Sequence, residues 1–224
     1  MEFIAKSFED IILKLGKPDN KFFFIFRGQS NSDWKLIPKV ARKPYCDYFI
    51  NTKRETDLLE SWKRYSIQYI DKMPADDWDW LTLAQHYNLA TRLLDWSKNP
   101  LIGLFFSIYQ NKGTDAALIA LRQLKVVERV ESNPFSVKEL KCLYPKGISA
   151  RVVNQRGVFT ITPEPNIPIE DLVDSKKLFK IIIPKKLIGE VTKNLDFYGI
   201  NELSIYPDLT GLSNHLNSTV IEMI

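Results

Sequence analysis

Three apolar runs of strand length punctuate the chain: KFFFIFRGQ (21–29), DAALIALR (115–122) and LFKIIIP (178–184). Each is rich in aliphatic, aromatic or β-branched residues and bounded by turn-forming or charged ones, the pattern of a strand. The first two lack apolar/polar alternation, as expected of strands covered on both faces. The most apolar stretch, LIGLFFSIY (101–109), falls far short of the ~20 residues a membrane span requires. It reads as a buried helix, with Pro100 in its first turn and Ser97 or Asn99 as cap.

Helical spacing surrounds these runs. Phe3, Ile4, Phe8, Ile11, Ile12 and Leu15 recur at three and four residues, predicting an amphipathic helix over 2–15 closed by Gly16 and Pro18. Further helices are expected over 55–70, over DWDWLTLAQHY (77–87) with Asp76 or Asp77 as cap, over 185–199, and after Pro207-Asp208. NLATRLLDWSKNP (88–100) reads as a loop, 123–148 as a connection with a short helix, and RVVNQRGVFTIT (151–162) as a strand interrupted by glycine. No repeat or linker divides the chain. The expectation is one α+β domain over 1–224, with its core at about 20–217 and the helix 2–15 packed on it.

With 45% hydrophobic and 26% charged residues the chain has the balance of an ordinary globular protein. Its net charge of +4 is too small and too dispersed to imply nucleic-acid binding. Cys46 and Cys142 stand far apart, and the chain has two His. A structural zinc site needs about four such ligands at close spacing, so no metal is expected. Two isolated thiols, with no signal peptide or spanning segment read, set the cytoplasm as the expected compartment and no membrane as partner.

Four polar constellations interrupt apolar elements. Phe26-Arg27-Gly28-Gln29 ends the first strand, where Arg27 must be paired or line a cavity. Gly28 admits close approach of a ligand to the backbone or serves the turn. Gln85-His86-Tyr87 ends a helix ahead of Thr91-Arg92-Leu-Leu-Asp95-Trp96. His86 there suits a ligand or a helix end, and Arg92 and Asp95 could pair if the stretch turns helically. In Asn154-Gln155-Arg156-Gly157-Val158-Phe159, a strand would align Gln155, Gly157 and Phe159 on one face, suited to a planar ring or amide, or Gly157 would form a bulge. Glu202, between Ile200 and Leu203, is either partly desolvated or simply exposed. Asp208 is expected to start the last helix.

No phosphate loop, nucleophile elbow or two-His metal motif is present. What remains is a polar pocket of Arg27, Arg92, Gln155 and one acid, ringed by aromatics such as Tyr87, Phe159 and Tyr206. Two cations and one acid suit an anionic, phosphate-bearing ligand.

Taken in order, FRGQ (26–29), LAQHYNLATRLLDWSKNPLIGLFFS (83–107), RVVNQRGVFTI (151–161) and INELSIYPDLTGL (200–212) resemble the FRG domain family, named for its Phe-Arg-Gly signature. Asn88 and Ala90 stand where that family tends to have Gly and Pro. The family in turn looks like a distant relative of the ADP-ribosyltransferases, which bind NAD between split sheets. That resemblance implies an ADP-ribosyltransferase-like fold, a central mixed or antiparallel split sheet with several helices. It implies an enzyme cleaving the nicotinamide–ribose bond, by transfer to a macromolecular acceptor or by glycohydrolysis, in the setting of a bacterial or phage toxin or defence effector. Arg27 and Gly28 would take the strand-end role, fixing ribose or phosphate and the nicotinamide carboxamide. Glu202 would stabilise the transition state, making Glu202 and Arg27 the catalytic pair. Gln29, His86, Tyr87, Arg92, Gln155 and Phe159 complete the implied NAD-binding set. The Ser-Thr-Ser-like strand of the arginine-modifying members is missing, and Ile200 stands where they carry a second Glu. Arginine is therefore not the implied acceptor. The alternative is a non-catalytic module that senses a nucleotide or docks a protein through the same pocket.

Overall fold

A computed structural model describes residues 2–16, 24–122, 124–129, 133–146 and 154–222. Among these residues lie seven strands: β1 (Glu2–Ile4), β2 (Phe24–Gln29), β3 (Leu94–Ser97), β4 (Ala116–Arg122), β5 (Lys141–Leu143), β6 (Gly157–Ile161) and β7 (Leu178–Ile183). The helices are α1 (Phe8–Leu15), α2 (Thr52–Ser66), α3 (Asp77–His86), α4 (Pro100–Ile108), α5 (Ile169–Leu172), α6 (Ile188–Phe197), α7 (Glu202–Ile205) and α8 (Leu209–Glu222). The fold is α+β, as expected.

The strands form one mixed sheet in the order β1-β7-β4-β2-β3-β6-β5. Only β1 and β7 run parallel; every other neighbour is antiparallel. Pairing is long within each half: six registered pairs join β2 to β4, from Phe24↔Arg122 to Gln29↔Ala117, and four join β3 to β6. Between the halves, β2 and β3 share one registered pair, Phe26↔Ser97. The sheet therefore splits immediately beyond Phe26.

Packing follows the split. Both halves turn one face onto a shared cluster that includes Ile25, Leu94, Trp96, Ile119, Leu121 and Val158. The half containing β4 and β7 backs its other face on α1, α4 and α6, through Leu118, Ile181 and Ile183 against Ile11, Leu104 and Val191. The half containing β5 and β6 backs onto α2 and α3, through Leu143, Phe159 and Ile161 against Leu59, Trp78 and Leu81. Burial on both faces explains the unbroken apolar run of β4.

The structure corrects several local expectations. Residues 2–4 form β1, and the helix begins only after Ser7, whose hydroxyl accepts from the Asp10 N–H. Phe3 and Ile4 instead extend the sheet edge, in register with Ile181 and Ile182 of β7. Within the expected loop 88–100, Leu94–Ser97 is a strand. Arg92 lies in the bend before that strand and pairs with Glu55, so no helical turn brings it to Asp95. Residues 141–143 add a strand to the expected connection. The register of β3 with β6 runs without interruption through Gly157, so there is no bulge there. Pro18, residues 21–23 of the first apolar run and residues 151–153 of the RVVNQRG stretch lie outside the described residues.

Candidate functional site

Where β2 and β3 part, a cavity of about 570 Å³ opens between the C-terminal end of α3 and the aromatic side chains of α4 and the segment after α7. Its volume falls within the range of small-molecule sites. Arg27, Gly28 and Gln29 come from β2; Gln85, His86 and Asn88 from the end of α3; Asp95, Trp96 and Ser97 from β3. Gln155, Gly157 and Phe159 close it from β6 and the turn before it, and Trp34, Phe106 and Tyr206 add aromatic walls.

The split itself creates the polar chemistry. Continued pairing would set Gly28 opposite Asp95; instead the Arg27 Nη1 donates to the Asp95 carbonyl at 2.7 Å. The same Nη1 lies 4.0 Å from the Asp95 Oδ2. The Arg27 side chain is 15% exposed and that of Asp95 58% exposed. The Arg27 Nε is buried without a hydrogen-bond partner among the described residues. Burial pushes the Arg27 guanidinium down to about 10; Asp95 opposes the shift and Arg42 adds to it. Arg27 remains charged at neutral pH. Arg42 is itself lowered by burial, with Asp95 opposing, and its Nε and Nη2 donate to the Ile37 carbonyl at 3.0 and 2.9 Å.

A hydrogen-bonded chain orients the acid. The Leu93 N–H donates to the Thr91 Oγ1 at 3.1 Å, and that hydroxyl donates to the Gln85 Oε1 at 2.6 Å. With its oxygen so engaged, Gln85 turns its Nε2 to the Asp95 Oδ2 at 2.8 Å. The end of α3 places Gln85 and His86 through a Schellman closure. Leu89 N–H reaches the Ala84 carbonyl, Asn88 N–H reaches that of Gln85, and Asn88 takes φ +66°. Asn tolerates this left-handed position better than most residues.

Of the residues expected at the site, Arg27, Gly28, Gln29, His86, Gln155 and Phe159 line the cavity together. Gln155 does so from a turn, not from a strand face, with its carbonyl accepting from the Ser97 hydroxyl at 2.7 Å. Gly28 serves packing as well. A Cβ there would stand 2.1 Å from the Gly103 carbonyl oxygen and 2.2 Å from the Ser107 nitrogen, so the backbone of α4 occupies its side-chain space.

Three expected residues lie elsewhere. Arg92, 1% exposed, is locked to Glu55 by Nε–Oε2 and Nη2–Oε1 bonds of 2.9 and 2.7 Å. Its guanidinium also lies over the Phe135 ring. It anchors α2 and does not face the cavity. Tyr87, 67% exposed, lines a separate aromatic groove with Trp62, Tyr65 and Tyr69. Glu202, at the start of α7, is not among the lining residues; its Oε2 is buried without a hydrogen-bond partner among the described residues. Asp208 opens α8 as expected, accepting from the Gly211 N–H at 2.9 Å.

Sequence reasoning missed Trp34, 54% exposed at the cavity wall, and the second guanidinium of Arg42. The one available signal for Trp34 was a large aromatic in the otherwise polar turn SNSDW. Among the described residues no cluster of His, Cys, Asp and Glu could hold a metal ion, and no helix is long and apolar enough to cross a membrane.

No curated protein and no solved structure matches the chain. A family model does: that of the FRG domain matches residues 23–116, the segment from β2 through the start of β4 that supplies Arg27, Gln29, Gln85, His86 and Asp95. Over that segment the chain is similar to the FRG domain.

Proposed function

We propose that the cavity binds NAD and that the protein is an ADP-ribosyltransferase-like enzyme acting on the nicotinamide–ribose bond. The observation that carries this reading is the cavity at the split, with Arg27 buried at the end of β2 and its Nε unpaired. A buried donor without a partner is costly, and a phosphate oxygen satisfies it while neutralising the charge. Gln29 and Gln155 offer amides for a carboxamide or ribose hydroxyl, and Trp34, Phe106 and Tyr206 offer ring faces for the two bases. Cleavage of the bond develops oxocarbenium character on the ribose, which a nearby carboxylate stabilises, as in glycoside hydrolysis.

One observation favours a second reading, nucleotide binding without cleavage. Glu202, the acid that the family resemblance assigns to catalysis, is absent from the cavity lining. Incubation with NAD separates the two. For the enzyme, NAD raises Tm and nicotinamide is released, while Arg27→Gln weakens NAD binding about tenfold or more through loss of a charged partner. Stabilisation without release selects the binding module. Failure of NAD to raise Tm at millimolar concentration rejects the NAD site altogether.

A further inference from the structure

Asp95 is the acidic side chain that lines the cavity among the described residues. It is held through both its backbone and its side chain. Its carbonyl takes the Arg27 Nη1, its Oδ2 takes the Gln85 Nε2, and Gln85 is itself oriented through Thr91 from a backbone N–H. A carboxylate needed only to balance Arg27 would form a close ion pair with it. Here the guanidinium binds the backbone oxygen at 2.7 Å, while the carboxylate stands 4.0 Å away and stays 58% exposed. Its negative charge is held in place but left available to the cavity.

We infer that Asp95, positioned by Gln85, faces the cationic end of the bound dinucleotide and makes the site selective for the oxidised form. This rests on the NAD reading above. The oxidised nicotinamide carries a positive charge on the ring and the reduced one does not, while the two share the adenosine and the pyrophosphate. A fixed carboxylate at the cavity wall therefore discriminates between them by charge. Arg27, whose Nη1 stands 4.0 Å from that carboxylate and whose Nε is unpaired, supplies the complementary cation for the adjoining pyrophosphate. His86 and Tyr206, which also line the cavity, and Arg42, which acts on Asp95 across the loop, are the remaining ionisable neighbours besides Arg27.

The test compares three ligands by calorimetry: carbocyclic NAD⁺, whose glycosidic bond resists cleavage, NADH, and ADP-ribose, which lacks the nicotinamide. The wild-type protein is expected to bind carbocyclic NAD⁺ about tenfold more tightly than NADH. Asp95→Asn keeps the acceptor for Gln85 and is expected to reduce that ratio to about one, with ADP-ribose affinity unchanged within about twofold. Gln85→Met, which frees the carboxylate without removing it, is expected to reduce the ratio only partly. Equal wild-type affinity for oxidised and reduced ligands overturns the inference and leaves NAD binding standing. A gain of affinity for all three ligands in Asp95→Asn also overturns it, because Asp95 would then only compete for Arg27. Absence of binding by all three to the wild-type protein rejects the NAD reading and the inference with it. An unchanged circular-dichroism spectrum and Tm in both variants establish that the fold is intact.

Discussion

A guanidinium taken out of water needs a partner of opposite charge or good acceptors around it. Arg92 and Arg27 meet that demand differently. Arg92 gives Nε and Nη2 to both oxygens of Glu55, itself buried, and the pair joins α2 to the loop before β3. Arg27 has a single close contact, to a backbone oxygen, and an unpaired Nε at a cavity wall. Arg92→Ala is therefore expected to destabilise the protein by about 3–5 kcal/mol, because it leaves Glu55 charged and buried. The double variant Arg92→Met with Glu55→Leu should recover much of that loss, as denaturant midpoints would show. Both arginines stand out in the sequence as charges beside apolar runs. Only their partners separate them: Glu55 lies 37 positions from Arg92 and Asp95 lies 68 from Arg27, distances at which local spacing carries no information.

At the scale of elements, ends were more legible than pairings. Caps act within three residues, so the sequence narrowed each to two candidates, Asp76 or Asp77 and Ser97 or Asn99; the structure uses Asp76 and Asn99, which accept from the N–H groups of Asp79 and Leu101. Asp76 does more than cap α3. Burial pushes its pKa up, but the Asp79 N–H, Lys146 and Arg129 together outweigh that and hold the carboxyl below its ordinary 3.8. A carboxyl so lowered contributes stability above its unfolded value and loses it as pH falls through the folded one. The wild-type protein should thus lose stability below about pH 4, with a shallower acid limb in Asp76→Asn. Asp76→Ala at neutral pH should cost about 1–2 kcal/mol in cap energy, more if Arg129 and Lys146 find no new partner; thermal melts across pH 3–7 check both. The long apolar strands β2, β4 and β7 were equally visible. The three- and four-residue strands β1, β3 and β5 were not, because so short a run has no period of its own and is extended only because a neighbour supplies hydrogen bonds.

Across the whole molecule, the split between β2 and β3 sets the cavity, and glycine packing keeps α4 beside it. Gly28 and Gly103 bring strand and helix into contact, with a Cβ at Gly103 standing 2.9 Å from that of Phe26. Gly28→Ala should push α4 outward and destabilise the protein by about 3 kcal/mol, at the upper end of overpacking costs. Since α4 carries Phe106 into the cavity wall, ligand affinity should fall with it, which calorimetry on the folded fraction measures. A small effect of Gly28→Ala on Tm would show that α4 yields more easily than its backbone contacts imply.

By itself the sequence determined the α+β class, the long strands, the capped helices and the polar clusters that interrupt them, all of which arise from local propensity and periodicity. Tertiary structure decided which of those clusters meet. It drew Arg27, Gln85, Asp95 and Gln155 to one opening, paired Arg92 elsewhere and left Glu202 off the cavity lining. The physical reason is that strand order and the point at which two strands part depend on packing between residues far apart in the chain, and no local pattern encodes where they diverge.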